Sequence, residues 1–408
     1  MEQKIISLVS CIFIASYLFS QSGCTDPQAI NFSPSAIDND GSCIYETTSL
    51  SLENVTDLSS EVLAENSGLS LFNQSLWTIN DGGNGTLVYE LDTLGNILRE
   101  VFVEGVNNVD WEALTQNESH LFIGDFGNNS GNRQDLSIIK ISKSELLNNV
   151  NDTVSGQTMF FNYGDQVDFS GPSNAHNYDC EAFIYMADSL YLFSKNWQNQ
   201  EVRKYAVPID WEGIYTAFVS ESYDVDGLIT DAAIDPVDSN IVLLGYYSLG
   251  TGIYNSFIWM LWDYSDGKIF NGNKRRIEIG NMFMMGQTEG ISLRESSIQG
   301  YVSSEQISAV ITIPPKLFMF NFEQFLSSST VTSKETQGLV TMQCYPNPSQ
   351  SKVFISNYKG EFQLYDAISG RLIYEGTYKN QGVDLSALSI GIYLLKTSHT
   401  SFKIVKIY

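Results

Sequence analysis

The chain has 408 residues, with 47 Asp and Glu against 22 Lys and Arg, and a formal net charge of −25. So acidic a surface repels nucleic acid and anionic membrane, which excludes nucleic-acid binding, and it suits an extracellular protein that meets divalent cations. With 22 Tyr, 23 Phe and 6 Trp, and long alternations of Val, Ile, Tyr and Phe between Gly and Asn clusters, the sequence predicts an all-β fold with few helices.

At the start, Lys4 precedes an apolar run from Ile5 to Phe19, short of the about 20 residues that a membrane-spanning helix needs. Ser20 and Ser22 follow at the spacing that signal peptidase prefers, so residues 1–22 are expected to be a cleaved signal peptide. No later segment is apolar over that length, and the mature chain is expected to lack a transmembrane segment. Gln21-Ser22-Gly23-Cys24 partly resembles a lipobox, but Gln21 stands where an aliphatic residue is usual.

Residues 23–46 begin GCTDPQAINFSPSAIDNDGSCIY, which resembles a short module near the start of many type IX secretion cargo proteins. Oxidising surroundings permit a disulfide between Cys24 and Cys43, whose closed loop of about twenty residues would be worth roughly 3 kcal/mol. Inside it, Asp26, Asn31, Asp38 and Asp40 offer oxygen ligands and Gly41 permits a sharp turn. An EF-hand loop would want ligands where Ala36 and Thr47 stand, so a weak calcium site and a loop of Asx turns both stay open. Cys180 and Cys344 are expected to be unpaired, the first as a small buried residue.

Residues 47–325 read as one domain, and residues 65–325 of it contain one unit at least four times. The copies are DWEALTQNESHLFIGDFGN from Asp110, DCEAFIYMADSLYLFSKNW from Asp179, ITDAAIDPVDSNIVLLGYY from Ile229 and QTEGISLRESSIQGYVSSE from Gln287. A fifth, ENSGLSLFNQSLWTINDGG from Glu65, has Ser67 where the others carry Glu112, Glu181, Asp231 and Glu289. Each copy reads as strand, tight turn, strand. The spacing between copies leaves room for two more strands, as in LVYELDT with ILREVFVEG, and units of that size arranged radially make a β-propeller. Five blades are evident and a degenerate sixth stays open; a sandwich array is the alternative fold. The last unit lacks an outer strand after KLFMFNFEQFL, which residues 47–58 could supply.

The repeats resemble extracellular propellers related to esterase-like phytases, where an ESGL or DxEA element begins the inner strand and LWTxND or LYIGDxGDN forms the next. In a propeller, Glu112, Glu181, Asp231 and Glu289, joined by Asp110, Asp125, Asp179 and Glu305, would crowd one axis. There a Ca²⁺ would relieve their repulsion; the alternative is that they cap strand ends and accept backbone N–H bonds.

His176 and Asp179 are the weak candidates for a general base. Lys195 and Arg203 are the cations that could meet a phosphate. Trp77, Trp111 and Trp197 either stack on a glycan or pack between blades. No GxSxG, HExxH, Walker or GxGxxG motif is present. The leading expectation is a binding propeller for an extracellular ligand, with a metal-dependent hydrolase of phosphoester or lactone type as the alternative.

Residues 326–343, rich in Ser and Thr, read as a linker. From Tyr345 the chain runs YPNPSQSKVFI, FQLYDAISGRLIYEG, VDLSALSIGIYLLK and SFKIVKIY, a compact β-module with no catalytic constellation. This resembles the type A C-terminal sorting domain of the Bacteroidetes type IX secretion system. It implies that residues 344–408 form a small β-sandwich, that residues 345–408 engage the secretion machinery, and that the protein is secreted or held on the outer surface.

Overall fold

The computed structural model describes residues 21–148, 152–250, 252–308 and 312–326, and most of 344–407 in shorter stretches. Almost all of the expected signal peptide and linker lie outside these residues. Two compact units result, Met1–Ser328 and Ser329–Tyr408.

In the first unit the repeats fold as antiparallel blades of four strands. Blade one holds Asn66–Phe72, Ser75–Asn80, Leu87–Leu91 and Ile97–Glu104. Blade two holds Trp111–Gln116, His120–Asp125, Ser137–Ser142 and Thr153–Tyr163. Blade three holds Asp179–Met186, Ser189–Lys195, Glu201–Pro208 and Ile214–Asp224. Blade four holds Leu228–Ile234, Ile241–Ser248, Tyr254–Trp262 and Asn273–Asn281. Blade five holds Gln287–Leu293, Gln299–Glu305 and Lys316–Asn321, and its outermost strand is Glu53–Asp57, paired antiparallel with Lys316–Asn321.

Each strand presents alternate side chains to its two neighbouring blades. One apolar layer therefore forms at each blade-to-blade contact. Trp77 and Trp111 fill the layer between blades one and two, and Phe126 meets Phe183 edge-on at 5.2 Å between two and three. Phe193 and Phe257 lie between three and four, Ile258 and Phe318 between four and five. Leu76 with Tyr301 and Leu317 joins blade five back to blade one. The first strands of all five blades close a ring, that of blade five against that of blade one. A closed ring with five layers leaves no gap for a sixth blade and excludes the sandwich array.

Two features were not legible in the repeats. The 11-residue outer strand of blade two pairs in parallel with the outer strands of both neighbours, Thr153 opposite Phe102 and Phe160 opposite Ile214. This covers edges that would otherwise stay open. Thr48–Ser49 likewise adds in parallel to Asn273–Asn281.

The other feature is a β-bulge in every innermost strand. The ladder skips Gly68, Glu112, Glu181, Thr230 and Glu289 in blades one to five. A bulge re-aims the residue it sets free.

Cys24 and Cys43 form the expected disulfide, with Cα atoms 4.7 Å apart. Its loop follows the Asx-turn pattern: Asp26 accepts from the Gln28 N–H at 2.9 Å and from Tyr45 Oη at 2.8 Å, and Asp40 accepts from the Ser42 N–H at 3.0 Å. Asn31 bonds Ser42 O and the Ile44 N–H.

The second unit is a small two-sheet sandwich. Cys344–Tyr345, Lys352–Ile355 and Val383–Asp384 form one sheet. Leu372–Tyr378, Gly360–Asp366, Gly391–Thr397 and Ser401–Lys406 form the other. Val353, Leu364, Val383, Leu395 and Ile404 are among the residues of its core. Asn347 of the YPNP motif ties the entry to the last strand, donating to Lys403 O at 2.6 Å and accepting from the Val405 N–H at 2.8 Å.

Candidate functional site

The bulges carry three glutamates, Glu112, Glu181 and Glu289, to one mouth of the ring. Each is 4 % exposed. They face one another across blades: Glu181 raises the pKa of Glu112, and Glu289 raises that of Glu181. Asp110 joins from the start of the same blade-two strand, Asp81 from the turn after Ser75–Asn80, and Glu305 from the end of Gln299–Glu305.

Burial is the first cause of every upward shift here, followed by like charges. Burial and then Asp81 push the Asp110 carboxyl up to about 7. Burial and then Asp81 push Glu305 up to about 8. Burial takes Glu289 to about 8 against the opposing pull of Lys195.

The mouth is asymmetric. On the side of blades three and five the acids have partners. Lys195, 3 % exposed, contacts both oxygens of Glu181. Burial alone would depress the Lys195 ammonium, but Glu181 outweighs it and holds the group well above the usual lysine range. Gln287 Nε2 bridges Glu289 at 2.8 Å and Glu305 at 3.2 Å.

On the side of blades one and two, Asp81, Asp110 and Glu112 each offer one oxygen, and these atoms all lie within 4.8 Å of one another. Among the described residues no Lys or Arg bonds to any of the three. Gly127 is what lets two of them meet: a Cβ there would stand 2.2 Å from Glu112 Oε1 and 2.5 Å from Asp110 Oδ2.

The remaining candidates go elsewhere. Asp231 stands apart from the set in which the sequence placed it. It follows the bulge residue Thr230 instead of occupying the bulge, and its Oδ2 accepts the Ile291 N–H at 2.6 Å, its Oδ1 the Ala232 N–H at 2.8 Å. That is the strand-capping role. Asp125 pairs with Arg133 at 2.9 Å and accepts the Asp110 N–H.

Asp179 accepts from the Asn128 N–H at 2.7 Å through Oδ1 and from Trp197 Nε1 at 2.8 Å through Oδ2. His176 uses both ring nitrogens, Nδ1 toward the Tyr178 N–H at 3.1 Å and Nε2 toward Asn129 O at 3.0 Å. Trp77 and Trp111 are fully buried packing residues and present no face to a glycan. Lys195 is held by Glu181, and Arg203 pairs with Asp165 at 2.9 Å.

The residue missed at sequence level is Asp81. Its signal was the Asp of LWTIND, which ends a second strand and so opens onto the same mouth as the starts of the first strands.

Ring and mouth together define a five-bladed β-propeller with an acidic channel entrance, followed by a β-sandwich. Residues 343–407 match the family described as secretion system C-terminal sorting domain. The chain thus carries a type IX sorting domain and is exported to the extracellular or cell-surface space. No helix among the described residues is long and apolar enough to cross a membrane.

No curated protein matches the chain in sequence. Among solved structures it is similar to the Myxococcus xanthus glutaminyl cyclase, at 10% identity and TM-score 0.35, over 68% of this chain and 100% of that one. It is also similar to the catalytic domain of the Coprinopsis cinerea GH62 α-L-arabinofuranosidase, at 10% identity and TM-score 0.36, over 67% and 95%. A third is the Penicillium chrysogenum α-L-arabinanase complexed with arabinobiose, at 10% identity and TM-score 0.35, over 63% and 80%. Likeness of this depth carries no argument about chemistry.

Proposed function

We propose that the exported propeller is a binding protein whose channel mouth holds a divalent cation, Ca²⁺ by its chemistry, and presents it to an extracellular ligand. The observation that carries this reading is the trio Asp81, Asp110 and Glu112, with converging oxygens and no bonded cationic side chain. Three carboxylates without a bonded counter-charge are costly to hold together, Arg133 and Lys195 acting on them only from a distance. An all-oxygen set from two blades suits Ca²⁺, which tolerates irregular coordination, better than Mg²⁺. Asp81 and Asp110 are partly exposed, so a bound ion would keep positions open toward solvent.

Binding is preferred to metal-dependent hydrolysis because the two candidate bases are engaged structurally, His176 through both ring nitrogens and Asp179 through both oxygens. The test is thermal unfolding in EDTA and in millimolar Ca²⁺. Ligand bound only to the native state raises the melting temperature with its concentration. The expected result is a calcium-dependent rise that disappears in the Asp110→Asn, Glu112→Gln double variant. No rise in the unmodified protein, or a rise that survives in the variant, overturns the reading.

A further inference from the structure

A second concavity opens at the junction of blades two and three, where the loop before Asp179–Met186 crosses the loop after Ser189–Lys195. Its volume is about 230 Å³, and it is lined by Asp168, His176, Asn177, Tyr178, Gln198 and Arg203.

The walls are held in place before any ligand arrives. His176 clamps two loops through Asn129 O and its own turn, and the Trp197 N–H donates to His176 O at 3.1 Å. The Gln198 N–H donates to Asn177 Oδ1 at 3.1 Å, and Gln166 Nε2 to Gly131 O at 2.8 Å. Gly131, at φ +65°, makes room for the imidazole: a Cβ there would stand 2.6 Å from His176 Cδ2. The histidine that the sequence offered as a base therefore acts as a strut.

What these struts hold up is a mixed set of free hydrogen-bonding valences around an aromatic ring. Asp168 Oδ1 takes Ser170, leaving Oδ2. Among the described residues, Asn177 Nδ2 and the Gln198 side-chain amide have no hydrogen-bond partner, while Arg203 pairs through Nη1 with Asp165, interacts with the Tyr205 and Tyr178 hydroxyls and lies 5.7 Å over the Tyr178 ring. A lining that offers both donors and acceptors suits hydroxyl groups, each of which can both give and accept, better than a phosphate or a carboxylate, which would meet Asp168.

We propose that this cleft is a carbohydrate subsite that takes a single pyranose unit, the ring seated near Tyr178 and its hydroxyls shared between Asp168, Asn177, Gln198 and Arg203. The small volume limits the occupant to one sugar ring. Because none of its residues belongs to the acidic trio, the subsite works without the cation.

The experiment is saturation-transfer NMR on the full secreted chain in EDTA, with methyl pyranosides of the gluco, galacto, manno and xylo series as probes. At least one pyranoside is expected to show transfer. The signal should vanish in Gln198→Trp, which fills the cleft from an exposed position. It should weaken roughly tenfold in affinity in Asp168→Asn, which keeps the Ser170 contact but turns a free acceptor into a donor. Melting temperature reports folding of both variants. Absence of transfer with every probe overturns the proposal, as does transfer that is undiminished in both variants. Either result leaves the calcium test untouched.

Discussion

Residue by residue, the mouth sorts its carboxylates by what sits opposite them. Glu181 has Lys195; Glu112 has only other acids. Neutralising the two therefore has opposite consequences. Glu181→Gln takes the bonded counter-charge from a buried ammonium, leaving it only the unbonded Glu289 and Asp179, and is expected to cost up to about 3–5 kcal/mol. Glu112→Gln removes a repulsion and is expected to hold or raise stability in EDTA. Chemical denaturation of the two variants side by side checks this.

The pH dependence follows from the same groups. Glu289 and Glu305 titrate at about 8 in the folded chain, facing Lys195, Asp81, Glu181 and each other, and Asp110 titrates at about 7. All three lie above the ordinary carboxyl range of an unfolded chain. The folded state then binds more protons than the unfolded state between about pH 4.5 and 8, so stability falls as pH rises through that window. In EDTA the melting temperature is expected to drop steadily from pH 5 to pH 8.5. Calcium, which favours the ionised trio, should flatten the slope. A melting temperature that rises over the same range would contradict these shifts.

Elements, more than residues, decided what the sequence could reveal. The repeat was legible because each innermost strand carries an acidic or small residue within its first four positions, ahead of an apolar stretch. Blade four misled for a physical reason: its bulge residue is Thr230, and in a strand a one-residue slip turns a side chain to the other face. Asp231 therefore accepts the N–H of Ala232 in its own strand and that of Ile291 in the next blade instead of joining the mouth.

The Lys195–Glu181 pair was hidden because its two members sit on different strands of a hairpin, and their meeting depends on the bulge that opens the register beside Asp179 and Lys195. Asp81 lies in a turn with no acidic counterpart in the other blades.

The disulfide module is an element with a measurable task. Its loop grips blade four: Asn39 Nδ2 reaches Asp263 Oδ2 at 2.9 Å and Asn273 Oδ1 at 3.0 Å, and Lys274 Nζ reaches Gly41 O at 3.0 Å. Tyr45 packs on Trp262 at 5.5 Å. Replacing Cys24 and Cys43 together by Ser is expected to lower stability by roughly 3 kcal/mol, the loop-closure value for a bridge of this span. Urea unfolding with matched slopes measures it. A loss below about 1 kcal/mol would mean that the docked contacts alone hold the loop.

For the molecule as a whole, propeller and sorting domain have separate cores. A chain ending before residue 345 is expected to fold into the same ring, with an unchanged circular-dichroism melt, yet to be missing from the culture medium and cell surface. Normal surface levels of the truncated chain would show that export is read elsewhere.

The ring is sealed by Glu53–Asp57 against Lys316–Asn321, strands from opposite ends of the propeller sequence. The segment that leaves the ribosome first must therefore wait until all five blades have followed before it finds its partner. At about 5–20 residues per second, that wait lasts on the order of tens of seconds. Until then the mouth is an open arc: Asp81, Asp110 and Glu112 of blades one and two can already meet, but Glu289 and Glu305 of blade five have not joined them. A chain caught before closure thus has the cation trio of blades one and two but not the partnered side of the mouth, which is completed only when the last-made blade accepts the first-made strand.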